Sequence, residues 1–147
     1  MRLYPVGQEL KLLLNHFEAI ANRRLSPLGL TAAQAQLLII LNNSTDTLMP
    51  QKKLEAAVGS SQSTVAGIVS RLAAKNLVTA TRDGEDRRIK LVAITPEGID
   101  CCDSAFAALK ESESELLSGL SEKESAEFRR ILKRFGNSDQ SQAIDRA

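Results

Sequence analysis

Ser60–Gly98 reads SSQSTVAGIVSRLAAKNLVTATRDGEDRRIKLVAITPEG. A polar start, Ser60-Ser61-Gln62-Ser63-Thr64, leads into apolar positions at helical spacing, and Asn76 stands where that helix should stop. A strand-like run, Leu77-Val78-Thr79-Ala80-Thr81, comes next. Asp83-Gly84 is a turn signal inside a charged tip, Arg82 to Arg88. A second strand, Ile89 to Ile94, meets a helix start at Thr95-Pro96-Glu97-Gly98. A polar-fronted helix beside an arginine-tipped hairpin suits an object with one wide and one narrow groove, which is duplex DNA.

Outward from this stretch, the chain reads as mostly helical. Val6, Leu10, Leu13, Leu14, Phe17 and Ile20 recur at helical spacing over about 6–24, with Pro5 suited to the entry. Thr31-Ala32-Ala33-Gln34 has capping-box form and opens a second helix to about Leu41. A short third helix over about 50–57 and the turn Val58-Gly59-Ser60 precede the fourth, over about 61–75, so the pair is a helix-turn-helix candidate. After Thr95 a fifth helix runs to about Ser118, carrying Ile99, Phe106, Leu109, Leu116 and Leu117. Ser121 with Glu124 caps a sixth that carries Phe128, Ile131, Leu132 and Phe135. The expected fold is mainly α with a small β-hairpin wing (α+β), in a single domain over 1–147. Residues 31–98 form a winged helix-turn-helix, 1–25 and 99–136 form dimerisation helices, and 137–147 form a flexible tail.

Composition narrows the chemistry. The chain has 147 residues, 25% charged and 43% hydrophobic, with a formal net charge of +1, so any affinity for nucleic acid must come from segregated charge. From Arg71 to Lys90, Arg71, Lys75, Arg82, Arg87, Arg88 and Lys90 face only Asp83, Glu85 and Asp86. From Glu97 to Glu127 acids dominate, with only Lys110 and Lys123 against them. Aromatics at 3% and no Trp argue against a stacking platform for single strands. No apolar run approaches a membrane span and the N-terminus lacks a secretory pattern, so the expected location is cytoplasmic. Adjacent Cys101 and Cys102 make no disulfide framework. No metal-ligand spacing, glycine-rich phosphate loop or nucleophile–base pair is present, so neither enzyme activity nor a cofactor or metal is expected.

Within the key stretch, Ser61, Gln62, Ser63 and Thr64 form the DNA-facing first turn, and the Gln62 amide suits a two-bond contact with adenine. Gly67, one turn on, allows close approach. Arg88 is the candidate for minor-groove insertion, with Asp86 restraining it. Arg82 and Arg87 are phosphate candidates, Lys90 lies at the rim, and Arg71 anchors either a phosphate or the wing.

Asp86-Arg87-Arg88, followed by Val92-Ala93-Ile94-Thr95-Pro96-Glu97-Gly98, resembles the wing of the MarR family of bacterial winged-helix transcription regulators. Ser61 to Val65, Val69-Ser70-Arg71-Leu72 and Leu77-Val78 resemble that family's recognition helix and first wing strand. The resemblance implies a homodimer that binds a palindromic operator, most simply a repressor relieved by a small aromatic or anionic effector. It implies dimerisation through the terminal helices, with Leu13, Leu14, Phe17, Phe106, Leu109, Leu116, Leu117, Phe128, Ile131 and Phe135 as the candidate contacts. It places His16 at the edge of a ligand cleft. The alternatives are a thiol redox sensor acting through Cys101 and Cys102, and a winged-helix module that binds protein without DNA. Four positions depart from the family pattern. Ala80 stands for a wing arginine, Asn76 for a glycine, Ser70 for an aspartate that pairs with the wing arginine, and Pro50 for a Ser or Thr cap.

Overall fold

The computed structural model describes residues 5–144, with side chains as far as residue 136. The elements are α1 (Val6–Leu25), α2 (Ala32–Asn43), β1 (Met49–Pro50), α3 (Gln51–Val58), α4 (Gln62–Ala74), β2 (Val78–Arg82), β3 (Lys90–Ile94), α5 (Pro96–Leu116) and α6 (Glu122–Ile144). The chain divides into two compact units, Met1–Ser112 and Glu113–Ala147, where the sequence suggests one domain. Among the described residues no single helix is long and apolar enough to cross a membrane.

Caps set the helix starts. The Thr31 hydroxyl accepts from the Gln34 N–H at 3.2 Å, and the Thr31 N–H donates to Gln34 Oε1 at 3.2 Å. Asn22 Oδ1 takes the next free donor of α2, the Ala32 N–H, at 2.7 Å. Ser121 and Glu124 repeat the reciprocal pattern ahead of α6. α6 then continues past Gly136 to Ile144, so most of the expected tail over 137–147 has helical backbone and its last three residues lie outside the described residues. A helix-interior glycine costs about 1 kcal/mol relative to alanine, a local penalty that helix propagation can absorb where no proline follows.

The core of the first unit gathers Leu25 from α1, Leu37, Leu38 and Leu41 from α2, Leu54 from α3, Val65, Val69 and Leu72 from α4, and Val78 and Val92 from the sheet. α5 adds Cys102, Ala105 and Leu109. The buried stripe of α5 is Gly98, Cys102, Ala105, Leu109 and Ser112, at helical spacing and mostly small. Ile99 and Phe106 point outward instead, at 48% and 53% exposure. Apolar size alone therefore misreads which face of this helix is covered. Small side chains are the ones that let its backbone approach its neighbours.

The sheet has three antiparallel strands in the order β1-β3-β2, where the sequence suggests two. Met49 pairs with Val92 and Pro50 with Leu91, which adds β1 to the outer side of β3. A two-residue strand has no alternation to read, and proline is tolerated because this is an edge. Pro50 also precedes α3 without a side-chain cap. The hairpin is longer than the Asp83-Gly84 signal suggests. Its loop covers 83–89 and closes through the Asp83 N–H on the Ile89 carbonyl at 2.9 Å. Gly84 is absent from the positive-φ glycines, which are Gly29 and Gly59.

One corner joins these parts. Asn76 takes φ 59°, the left-handed turn that ends α4 and releases the chain into β2. The Thr95 hydroxyl donates to the Asn76 carbonyl at 2.7 Å and accepts from the Gly98 N–H at 3.0 Å. The Thr95 N–H donates to the Leu77 carbonyl at 3.1 Å. A Cβ at Gly98 would lie 2.2 Å from that same carbonyl oxygen, so the first turn of α5 sits directly on the α4–β2 corner. Gly98→Ala is expected to destabilise the fold by about 1–3 kcal/mol, the usual range for forced overpacking, measured by urea unfolding.

Candidate nucleic-acid interface

α4 buries Val65, Ile68, Val69 and Leu72, which turns the opposite face outward. Gln62, Ser63, Thr64, Ser70 and Arg71 are exposed there, with Ala66 and Gly67 half-buried. Ser61 is the N-cap: its Oγ accepts from the Thr64 N–H at 3.3 Å and donates to Thr64 Oγ1 at 3.0 Å. It also lies 3.3 Å from Ser63 Oγ. Ser61 therefore organises the first turn, and Gln62 projects beside it. The nearest atom to a Cβ placed at Gly67 would be an Arg71 guanidinium nitrogen at 3.8 Å, an ordinary contact. Nothing within 4 Å in the chain itself demands glycine at that position.

A groove of about 590 Å3 separates this helix from the wing. Gln62 and Ala66 line it from α4, Pro50, Gln51, Lys52 and Glu55 from β1 and α3, and Arg82, Arg88, Ile89 and Lys90 from the wing. The tertiary fold thus gathers four of the expected residues, Gln62, Arg82, Arg88 and Lys90, around one depression. Gln51, Lys52 and Glu55 are three further polar contributors that sequence reasoning missed; they fall outside the basic stretch and have no local pattern. Gln51 is 8% exposed, and its Oε1 has no hydrogen-bond partner. A second cleft, about 510 Å3, lies along the other edge of α4, where Ser63, Thr64, Gly67, Ile68 and Arg71 face Thr31, Ala33 and Gln34.

The wing holds its arginine out. Arg88 Nε and Nη2 donate to the two carboxylate oxygens of Asp86, each at 3.0 Å, and the Arg88 N–H donates to Asp86 Oδ1 at 3.0 Å. The Arg88 side chain is nonetheless 91% exposed. Asp86 thus orients the guanidinium without burying it, and the pairing is made within the wing itself. Arg87 and Arg82 are exposed and Lys90 is half-buried. The side-chain and backbone hydrogen bonds from Arg88 lower the Asp86 carboxyl below its usual range. Lys75, counted above among the bases of the stretch, is exposed, and its ammonium donates to the Gly29 carbonyl and Gln34 Oε1.

The remaining sequence candidates lie elsewhere. His16 is exposed on α1 and lines neither depression. Cys102 is buried, and its thiol donates to the Gly98 carbonyl at 3.3 Å and lies 3.8 Å from the Leu38 carbonyl. Burial first, then the neighbouring Cys101 and Asp103, push its pKa up to about 11. Burial likewise raises half-buried Cys101, whose thiol meets the same Gly98 carbonyl at 3.2 Å. Both shifts disfavour the nucleophilic thiolate that a redox sensor needs. Of the residues expected at a dimer surface, Leu14, Phe106, Ile131 and Phe135 are exposed. Leu13, Phe17, Leu116, Leu117 and Phe128 are half-buried, and Leu109 is in the core. Val6, Leu10, Leu12, Ile99 and Leu132 are further exposed apolar side chains.

Two measurements follow from this chemistry. At pH 7.5 the folded protein should resist thiol alkylation, with Cys102 labelled only after denaturant is added; rapid labelling of both cysteines would contradict the burial. The Asp86–Arg88 pair lowers a folded-state carboxyl, so its contribution is present above the unfolded carboxylate pKa and is lost as pH falls through the lowered value. NMR titration should place the Asp86 carboxyl below the ordinary carboxylate range in the native protein, and Arg88→Ala should move it only part of the way back, because the backbone N–H at 88 still donates to Asp86.

A family model described as MarR family matches residues 28–89, the stretch that contains α2, α3, α4 and the wing up to Ile89. A probable transcriptional regulator from Pseudomonas aeruginosa superposes with a TM-score of 0.78 at 27% identity, covering 89% of this chain and 96% of that one. Bordetella bronchiseptica BpsR, whose DNA binding is regulated by 6-hydroxynicotinic acid, gives 0.80 at 26% identity, covering 89% and 98%. A mutant of E. coli MarR complexed with operator DNA has the same fold, with a TM-score of 0.77 at 23% identity over 89% and 93% of the two chains. Residues 28–89, the winged-helix segment, thus match the MarR family of winged-helix transcription regulators, and the fold over nearly the whole chain is similar to that of the regulators above.

Proposed function

We propose that this regulator acts as a homodimeric repressor on a palindromic operator and is released by a small aromatic or anionic effector. The observation that carries the reading is the groove that joins Gln62 of α4 to Arg82, Arg88 and Lys90 of the wing, with Arg88 held outward by Asp86. A helix face of this kind enters a major groove, and an oriented guanidinium is drawn to the negative potential of a narrow minor groove. Gln62 and Ser63 read base edges, Ser61 and Thr64 set the first turn, and Arg71, Arg82, Arg87 and Lys90 neutralise phosphates. Gly67 keeps that helix edge free of side chain where the DNA approaches.

Dimerisation is supported by exposed apolar side chains on the terminal helices, among them Leu10 and Leu14 of α1 and Phe135 of α6. Large apolar groups left in water at several places favour association. A two-fold dimer sets two recognition helices about one DNA turn, roughly 34 Å, apart. An effector that prefers a different spacing lowers operator affinity by its differential binding to the two conformations. The small aromatic acid that regulates BpsR supports this effector class. The protein is expected to act in the cytoplasm by binding, without catalysis.

Electrophoretic mobility shifts over a salt series test the reading. The wild type should bind the intergenic DNA beside its own gene as a dimer, with affinity that falls steeply as salt rises. Arg88→Ala should weaken binding by about tenfold and reduce the log–log salt slope by about 1. Addition of aromatic carboxylates should release the DNA. No binding at low salt would favour a protein-interaction module instead.

A further inference from the structure

We infer that Lys75 is a positioning residue that aims the recognition helix, and that it makes no phosphate contact; this rests on the DNA-binding reading above. Lys75 caps the C-terminal end of α4, immediately before the left-handed Asn76. Its ammonium donates to the Gly29 carbonyl and, at 3.1 Å, to Gln34 Oε1. That oxygen also accepts the Thr31 N–H that starts α2, and Gln34 is only 5% exposed. Asn22 Oδ1 on α1 holds the next N–H of α2. A continuous polar chain therefore runs from α1 through the start of α2 to the base of α4.

The rest of α4 is held mainly by apolar packing of Val65, Ile68, Val69 and Leu72, a force without strong directional preference. The edge with Ser63, Gly67 and Arg71 borders an open cleft of about 510 Å3 that separates it from Thr31 and Gln34. On that side nothing but the Lys75 contacts spans from helix to helix among the hydrogen bonds and ion pairs described. α4 has 13 residues, so it is a lever about 20 Å long, and a rock of about 5° at its base moves the first turn by about 1.7 Å. Base readout by Gln62 and Ser63 is lost over such a shift. Phosphate contacts from the mobile ends of long arginine side chains are not.

The test measures sequence discrimination. Duplexes enriched by the wild type from a random pool serve as the specific probe, and scrambled duplexes of equal length as the non-specific one. Lys75→Met should lower the specific-to-non-specific affinity ratio by about tenfold, the scale of one mismatched base pair. Non-specific affinity and salt slope should stay at wild-type values, because no phosphate contact is lost. Lys75→Arg should restore most of the ratio. Gln34→Met should reproduce the loss, and the double variant should discriminate no worse than either single one. If Lys75→Met loses its helical circular dichroism, Lys75→Gln replaces it and is read in the same way. A slope reduced by about 1, with both affinities falling together, would make Lys75 a phosphate contact and overturn the inference. So would an unchanged ratio in a variant with a lowered melting temperature, which is the mark of a purely structural bond. A wild type that enriches no sequence overturns the DNA reading itself and this inference with it.

Discussion

The corner where α4 turns into β2 and meets the start of α5 constrains the first unit more than any other contact. A left-handed residue, Asn76, ends the recognition helix, and its carbonyl is held by the Thr95 hydroxyl. The same hydroxyl caps α5 through the Gly98 N–H, and the Leu77 carbonyl takes the Thr95 N–H. Three elements with different tasks thus share two peptide units. Gly98 is the steric condition for the corner, since any side chain there would collide with backbone that cannot move away cheaply. Because α4, the wing and α5 leave this point together, a displacement of α5 reaches the recognition helix without crossing a flexible loop.

Charge placement follows from that geometry. A chain with a net charge of +1 has no general attraction for a polyanion, so the direction of each base matters more than its count. Arg88 is almost fully exposed, yet the Nε–Nη2 edge of its guanidinium is held by both carboxylate oxygens of Asp86. Lys75 lies only seven residues before Arg82 but spends its ammonium on the Gly29 carbonyl and Gln34 Oε1, which connects α4 to the start of α2. Arg24 likewise pairs with Glu111 at 3.1 Å, tying α1 to α5. Basic residues therefore divide between outward exposure on the wing and bonds that tie one element to another.

The cysteines show how local chemistry can suggest a function that burial removes. Two adjacent thiols near a helix start resemble a sensor on paper. In the fold, Cys102 belongs to the small-residue stripe of α5, and its thiol is surrounded by core and acceptor carbonyls. Desolvation then outweighs any activation from the helix start, and both thiols are pushed away from the reactive form.

Local patterns along the chain were enough to identify the helices, their caps and the hairpin, because capping boxes, left-handed stops and apolar periodicity are properties of a few neighbouring residues. Thr31 with Gln34, Ser121 with Glu124, and Asn76 all do in the structure what their spacing implies. The pairing of Asp86 with Arg88 was also legible, since the partners are two residues apart. Only the tertiary structure decided the rest. Strand β1, the bonding of Lys75 to Gly29 and Gln34, the place of Lys52 in the wing groove and the burial of small residues on α5 depend on groups tens of residues distant in the chain. Packing and long-range hydrogen bonds choose among side-chain directions that the backbone pattern leaves equally available.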